Sequence, residues 1–249
     1  MPEFGTQYAL LAGSGFQTFG EESVEHRVKT HYGDPSSPVR ELEYGDHRVF
    51  LLARHGDDLR VAAHAVNYRA NMMALKSLGV DCVLALNTVG VISTNRYPGQ
   101  LAVPGQLIDY TYGRDHSIYD GESASLQHID FSAPFCPQIR QSILQAAAAA
   151  KIECHDGGIY AVTQGPRLET AAEVDRLERD GADYIGMTAM PEASLAMELG
   201  LRYACLSLLV NYAAGRGEKA IHEDIEASTM TAKLQAMKVL RKFFQQLPL

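Results

Sequence analysis

Two stretches in the C-terminal half carry side chains suited to a single site: Gln164-Gly-Pro-Arg-Leu-Glu-Thr-Ala-Ala-Glu173 and Gly186-Met-Thr-Ala-Met-Pro-Glu-Ala-Ser-Leu195. Each follows an apolar run (Tyr160 to Val162, then Tyr184-Ile185), passes through a small-residue turn and opens a helical pattern. Together they offer a carboxylate (Glu169), a soft apolar contact (Met187) and a hydroxyl (Thr188). Three earlier segments add anion-binding groups. Ala12-Gly-Ser-Gly15 is a Gly-rich turn where backbone N–H groups and the Ser14 hydroxyl can approach a phosphate, though it lacks the G-x-G-x-x-G dinucleotide pattern. In Leu51-Leu-Ala-Arg-His-Gly56, Arg54 can fork two oxygens while His55 donates another hydrogen bond. In Leu86-Asn-Thr-Val-Gly-Val91, Asn87 and Thr88 add two more polar side chains at a strand end. Singly, each has a plain explanation: a tight turn, an Arg capping a helix, a strand exit. Asn211 can be a turn former and Glu169 a first-turn capping group. Convergence shifts the balance, because four strand ends offer groups that can jointly surround a tetrahedral oxyanion.

The elements that must position them are short apolar strands alternating with helices. Strands are predicted at Tyr8–Ala12, Val49–Ala53, Val83–Asn87, Ile159–Thr163, Tyr184–Gly186 and Ala204–Asn211, and helices at Ala65–Leu78, Pro137–Ala150, Thr170–Asp180 and Pro191–Leu199. Most strands are continuously apolar, the pattern of strands buried on both faces. Open α/β sheets bind ligands at the C-terminal ends of their strands, so the carboxylate, the methionine and the hydroxyl are expected at that edge. Pro191-Glu192 suits a first helical turn, with Glu192 favoured by the helix dipole. In the last helix Met230, Leu234, Met237, Leu240 and Phe244 recur at i, i+3/i+4 and predict a core-facing stripe. Two long connections, Val91–Gly105 and Asp109–Pro137, are expected to carry function or meet a partner. No linker, repeat or low-complexity tract divides the chain. The expected architecture is one α/β domain over residues 1–249 with a mixed central sheet.

The chain has 249 residues, a formal charge of −8 and a hydrophobic fraction of 46%. That composition is ordinary for a globular domain, and the acidic balance argues against a nucleic-acid partner. Cys82, Cys136, Cys154 and Cys205 show neither C-x-x-C pairing nor metal-ligand spacing, and Cys82 and Cys205 read as buried core thiols. The N-terminus shows no signal-peptide pattern and no run reaches transmembrane length, so a cytoplasmic location and no membrane partner are expected.

Taken together, Ala-Gly-Ser-Gly, Leu-Ala-Arg-His-Gly, Val66-Asn-Tyr-Arg-Ala-Asn71, Pro98–Pro104, His128-Ile-Asp-Phe, Gln-Gly-Pro-Arg-Leu-Glu-Thr and Gly-Met-Thr-Ala-Met-Pro-Glu resemble the trimeric purine nucleoside phosphorylase family. The likeness is strongest to its methylthioadenosine/S-methyl-5′-thioinosine phosphorylase branch and runs in order along nearly the whole chain. The resemblance implies the phosphorylase fold, an α/β sandwich on a twisted mixed sheet, and a homotrimer. It implies phosphate held by Ser14, Arg54, His55, Asn87, Thr88 and Thr188, and ribose packed on Met187. Glu169 and Asn211–Tyr212–Ala213 are then to surround the purine, with His128 reaching a neighbouring subunit's 5′ pocket. Where adenine-handling members carry Asp-x-Asp and a small hydroxyl residue, this chain has Asn211-Tyr-Ala213 and Glu169, as 6-oxopurine members do. Ala220-Ile-His-Glu-Asp-Ile225 resembles the segment with which purine nucleoside phosphorylases place a His on the 5′-hydroxyl, which makes His222 a candidate there.

The implied reaction is phosphorolysis of an N-glycosidic bond, S-methyl-5′-thioinosine being the first substrate expected. Inosine/guanosine or methylthioadenosine phosphorolysis are the alternatives. Phosphate is a co-substrate and no metal or organic cofactor is expected. Asn211 is to donate to N7 and O6 of the leaving purine, and Glu169 to accept the N1 proton. Two other classes compete: a nucleosidase, which would use water and want a carboxylate to activate it, and a non-catalytic nucleoside-binding protein.

Overall fold

The computed structural model describes residues 6–16, 23–44, 47–121, 126–218 and 221–247, without the side chains of 23 and 221–224. Its centre is strand β5 (Cys82–Val91). On one edge of β5 lies β1 (Tyr8–Ala12), parallel, then β4 (His47–Ala53), β3 (Val39–Tyr44) and β2 (Ser23–His26). On its other edge lies β11 (Arg202–Tyr212), parallel along the whole length, which passes the sheet to β6 (Leu101–Val103) and β8 (Cys154–Asp156).

β1 pairs with β5 only from Cys82 to Ala85. Beyond that, β10 (Tyr184–Gly186) arrives antiparallel at Gly90 and Val91 and brings β9 (Ile159–Val162) and β7 (Gln106–Asp109). The sheet therefore splits along β5. Between the departing β1 and the arriving β10, the edge of β5 around Leu86–Val89 has no strand partner on that side among the described residues. The sheet is mixed, as expected. Asn87 and Thr88, expected at a strand end, sit inside β5, because β11 supports the strand on to Val91.

Alternation along the strands sorts the core by face. Ala9, Leu11, Cys205 and Leu209 join one apolar cluster with α1 (Tyr68–Ser77) and α4 (Ala189–Glu198). Leu10, Ala12, Leu206 and Leu208 join another with α2 (Pro137–Ala149) and α5 (Ile221–Gln245). Burying each such Leu contributes on the order of 1.5–3 kcal/mol, which is why these strands read as unbroken apolar runs. Helix α3 (Ala171–Arg179) packs Val174 and Leu177 over the β10 end with Ile185 and Ala213. The last helix differs from expectation. Met230 and Leu234 are exposed, and its buried stripe is Ala232, Ala236, Val239, Leu240, Phe243 and Phe244. These positions share one apolar cluster with Ile139, Ile143, Ala146 and Ala147 of α2, so the face turned inward is offset from the expected stripe. Leu240 and Phe244 of the expected stripe are buried there.

Candidate active site

The split opens a cavity of about 390 Å³. Its walls are the exits of β1 (Gly13, Ser14), β4 (Arg54, His55), β9 (Pro166, Leu168, Glu169), β10 (Met187, Thr188) and β11 (Asn211, Ala213), with Asn87 to Gly90 of β5 as the floor. Ten of the residues singled out from sequence line it: Ser14, Arg54, His55, Asn87, Thr88, Glu169, Met187, Thr188, Asn211 and Ala213. Tyr212 lines a second depression, next to Asn211 and Ala213, rather than the cavity itself. His128 is exposed in the long connection, and the His222 side chain lies outside the described residues.

Two glycines make the geometry possible. A Cβ on Gly13 would lie 2.4 Å from the Leu86 carbonyl oxygen and 3.0 Å from Arg54 Nη1, so only glycine lets the β1 exit press against β5 and the guanidinium. At Gly186 a Cβ would fall 2.3 Å from the Tyr160 hydroxyl.

Arg54 departs from expectation. It is fully buried, and its Nε and Nη2 edge is taken by the Glu192 carboxylate, with Nη2 to Oε2 at 3.0 Å. Nη1 donates to the Leu86 carbonyl at 3.0 Å and Nη2 to Leu11 at 3.4 Å. A guanidinium has five N–H groups. Four are committed inside the protein, so the fork expected to hold two phosphate oxygens is reduced to one N–H on Nη1 beside Gly13. Burial works against the charge, but Glu192 outweighs it and drives the guanidinium pKa up. Glu192, expected only as a first-turn carboxylate suited to the helix dipole, is wholly buried and also accepts from Tyr203 at 2.8 Å.

His55 differs in a related way. Its Nδ1 lies 2.8 Å from the Val61 carbonyl, which can only accept, so Nδ1 carries the proton. Burial, with Arg54 second, pushes the imidazole down to about 4. At neutral pH its Nε2 is therefore a bare acceptor, suited to a P–OH or sugar hydroxyl rather than to donating as expected. Beside it, Asn87 donates through Nδ2 to the Thr188 hydroxyl at 2.7 Å, and its Oδ1 is buried without a partner.

Glu169 is delivered by the β9–α3 connection. Thr170 caps α3 by accepting from the Glu173 N–H, Glu173 accepts from the Thr170 N–H, and Arg167 forks Glu173 at 2.7 and 2.8 Å. That clamp fixes the residues on either side of Glu169, whose Oε1 accepts from the Thr163 hydroxyl at 2.6 Å. One carboxylate oxygen is thereby held and the other left to a ligand. Asn211 follows an irregularity in the β11 register after Leu209 and donates to the Tyr212 carbonyl at 2.7 Å. Sequence reasoning missed Glu192, Thr163, Tyr203 and Ile225, a further lining residue. Arg54 and Glu192 stand 138 residues apart, and no spacing signals such a pair.

Residues 7–245 match the model of the phosphorylase superfamily. The chain is 47% identical over 212 residues to a Xanthomonas campestris pv. campestris protein named probable S-methyl-5′-thioinosine phosphorylase, covering 84% of this chain and 85% of that one. It is 40% identical to a Pyrococcus furiosus protein named 6-oxopurine nucleoside phosphorylase, covering 87% and 84% respectively. Among solved structures, it is similar to methylthioadenosine phosphorylase from Schistosoma mansoni in complex with tubercidin, at a TM-score of 0.89 and 29% identity over 96% of this chain and 90% of that one.

Proposed function

The chain belongs to the phosphorylase superfamily, and on that premise we propose that it catalyses phosphorolysis of a 6-oxopurine nucleoside, S-methyl-5′-thioinosine foremost. The products are hypoxanthine and 5-methylthioribose 1-phosphate. The observation that carries this reading is one cavity with an anion-suited wall at one side (Ser14, Arg54, His55, Asn87, Thr88, Thr188) and a carboxylate–amide pair at the other (Glu169, Asn211).

Phosphate sits against the β1, β4 and β5 side and attacks C1′ of the sugar as the bond to N9 breaks. The bonding pair leaves with the purine. Asn211 turns its amide from the Tyr212 carbonyl to N7 and O6, where that charge accumulates. Glu169 accepts a hydrogen bond from N1–H with its second oxygen, while the proton carried in by the monohydrogen phosphate ends on the purine to give neutral hypoxanthine. Met187, beside Thr188, supplies an apolar contact for the pentose. The chemistry is mainly positioning, the attacking oxygen being held in line with the bond it replaces.

A second reading, phosphorolysis of inosine and guanosine, rests on His222, three residues before Ile225 of the cavity wall. Base release from S-methyl-5′-thioinosine, inosine and methylthioadenosine, each with and without phosphate, tests the proposal. Strict phosphate dependence is expected, with methylthioinosine ahead. Full-rate release without phosphate would make the protein a nucleosidase, and inosine far ahead would select the second reading.

The working form is a homotrimer. The exposed His128 lies off its own chain's cavity, which suits a residue that completes a neighbour's site. Sedimentation should find a trimer, and mixing His128→Ala with Arg54→Ala subunits should restore part of the activity. A fully active monomer would end this proposal.

A further inference from the structure

Arg114 belongs to the long connection between β7 and α2, outside the cavity lining. Its guanidinium gathers the backbone of two functional loops. Nη2 donates to the carbonyls of Gln164 at 2.8 Å and Thr163 at 3.2 Å, at the β9 exit, and Nε to the Gln164 side-chain oxygen at 3.1 Å. Nη1 donates to the carbonyls of Met187 at 2.8 Å and Met190 at 2.6 Å, after β10. The Tyr68 hydroxyl also lies 3.2 Å from Nη1, and the guanidinium carbon sits 5.3 Å from the centre of that ring.

What hangs on those carbonyls is the purine end of the site and its hinge to the sugar. Thr163 holds Glu169, and Met187 precedes Thr188. β9 and β10 are paired only as far as Val162 and Gly186. One strand bond beyond them, Thr163 N–H to the Gly186 carbonyl at 2.8 Å, closes the pair. Past that point Arg114 is what spans the two loops. A planar fork with donors on three nitrogens can bind several carbonyls at fixed angles, which a compact ammonium cannot.

We infer that Arg114 is a positioning residue for the reaction: it sets the separation between Glu169 and the Met187–Thr188 turn, and so holds the nucleoside in line with the phosphate. This rests on the phosphorylase reading. It predicts a selective defect, because Ser14, Arg54, His55 and Asn87 come from β1, β4 and β5, none of which Arg114 bonds to. Thr188 alone of the phosphate-side groups shares a loop with Arg114's partners, and its hydroxyl is held separately by Asn87 of β5 at 2.7 Å.

The test is steady-state kinetics of the full chain as wild type, Arg114→Ala and Arg114→Lys. In Arg114→Ala, kcat is expected to fall about a hundredfold, the order that a 1 Å misplacement costs. The KM for nucleoside rises, and the KM for phosphate stays within about threefold, a change worth well under one factor of ten in binding. Millimolar guanidinium should restore a measurable part of the rate and methylammonium at equal concentration none. Arg114→Lys should melt near the wild type yet remain slow. A folded Arg114→Ala or Arg114→Lys enzyme with kcat within about threefold of wild type would overturn the inference. So would parallel losses in both KM values, or a slow Ala variant that guanidinium does not rescue. If the alanine variant does not fold, the lysine variant decides alone. Failure of the wild type to release base in phosphate would instead sink the phosphorylase reading, and this role with it.

Discussion

Replacing Arg54 with alanine should injure the fold as well as the chemistry. Sequence alone suggests otherwise: a cation at a strand exit, next to a turn, looks removable with little effect on folding. In the structure Arg54 is completely buried and so is its partner. Arg54→Ala leaves the Glu192 carboxylate with the Tyr203 hydroxyl as its only side-chain hydrogen-bond donor among the described residues, and leaves the Leu86 and Leu11 carbonyls short of a donor. Breaking a buried ion pair by deleting one partner costs about 3–5 kcal/mol. For a chain of this length each kcal/mol moves the melting temperature by roughly 2–4 °C, so the expected drop is roughly 6–20 °C. The double variant Arg54→Met/Glu192→Gln removes both charges while keeping an acceptor for Tyr203. Neutral replacement of a buried pair is often close to neutral in stability, so it should recover more than half of the loss. It should still fail to use phosphate, since the remaining N–H beside Gly13 is gone. Thermal melts, with base release measured against phosphate concentration, separate the two effects. An Arg54→Ala protein melting within about 2 °C of wild type, a shift under one kcal/mol, would refute the argument that this buried pair stabilises the fold.

Two further outcomes follow from the site. Discrimination against 6-aminopurines should reach about a hundredfold in kcat/KM, since two mispaired buried groups cost on the order of 1–3 kcal/mol each; Asn211→Asp should slow oxopurine turnover and narrow that gap, and equal use of methylthioadenosine and methylthioinosine by the wild type would contradict it. For His55 the folded state lies near 4, below the unfolded value of about 6.5. The unfolded chain therefore binds the extra proton between those values, and stability is level above about 6.5, declines as the pH falls toward 4 and levels off below. Denaturant titrations across that window should show a shallower decline in His55→Gln, and identical slopes would refute the assignment.

What could be read from sequence follows from how local each feature is. The strands β1, β4, β5 and β11 declare themselves because burial on both faces demands unbroken apolar runs. The β2 and β3 pair (Ser23–His26, Val39–Tyr44) does not, being half exposed and rich in charge. The lining residues could be found since each sits at or near the end of a strand whose exit chemistry is written in two or three neighbouring residues. Their orientation could not be found. Whether Arg54 points a fork into the cavity or into Glu192, and which His55 nitrogen faces ligand, depend on residues brought together only by the closed sheet. Met230 and Leu234 failed for a different reason: helical spacing gives a stripe, but the partner surface decides which stripe is buried, and here the stripe from Ala232 to Phe244 joins the cluster that α2 also enters.

The placement of charge explains why this cavity suits phosphate better than water. Of the described residues lining it, Glu169 is the only carboxylate, and one of its oxygens is engaged by Thr163 on the β9 side. A hydrolase needs a base beside the attacking oxygen, and on the proposed reading that oxygen approaches C1′ from the side where the cavity offers Ser14, Arg54, Asn87, Thr88 and Thr188. Those groups are mostly neutral dipoles plus one cation already offset by Glu192, so they give a water molecule little reason to lose its proton. His55 has a free Nε2, but burial and Arg54 make it a weak base. An incoming phosphate needs no activation, because it brings its own negative charge to meet the cationic sugar. The neutralised Arg54 is an advantage in that step: a full unpaired cation would bind the anion tightly and damp its nucleophilicity, whereas dipoles and one shared guanidinium hydrogen orient it and leave its charge available. The split along β5 then sets the division of labour. On the proposed reading the β1 and β4 half, joined by Thr188 from the β10 exit, presents the nucleophile, Glu169 and Asn211 take the leaving group, and the single strand β5 between them fixes the distance over which the bond is exchanged.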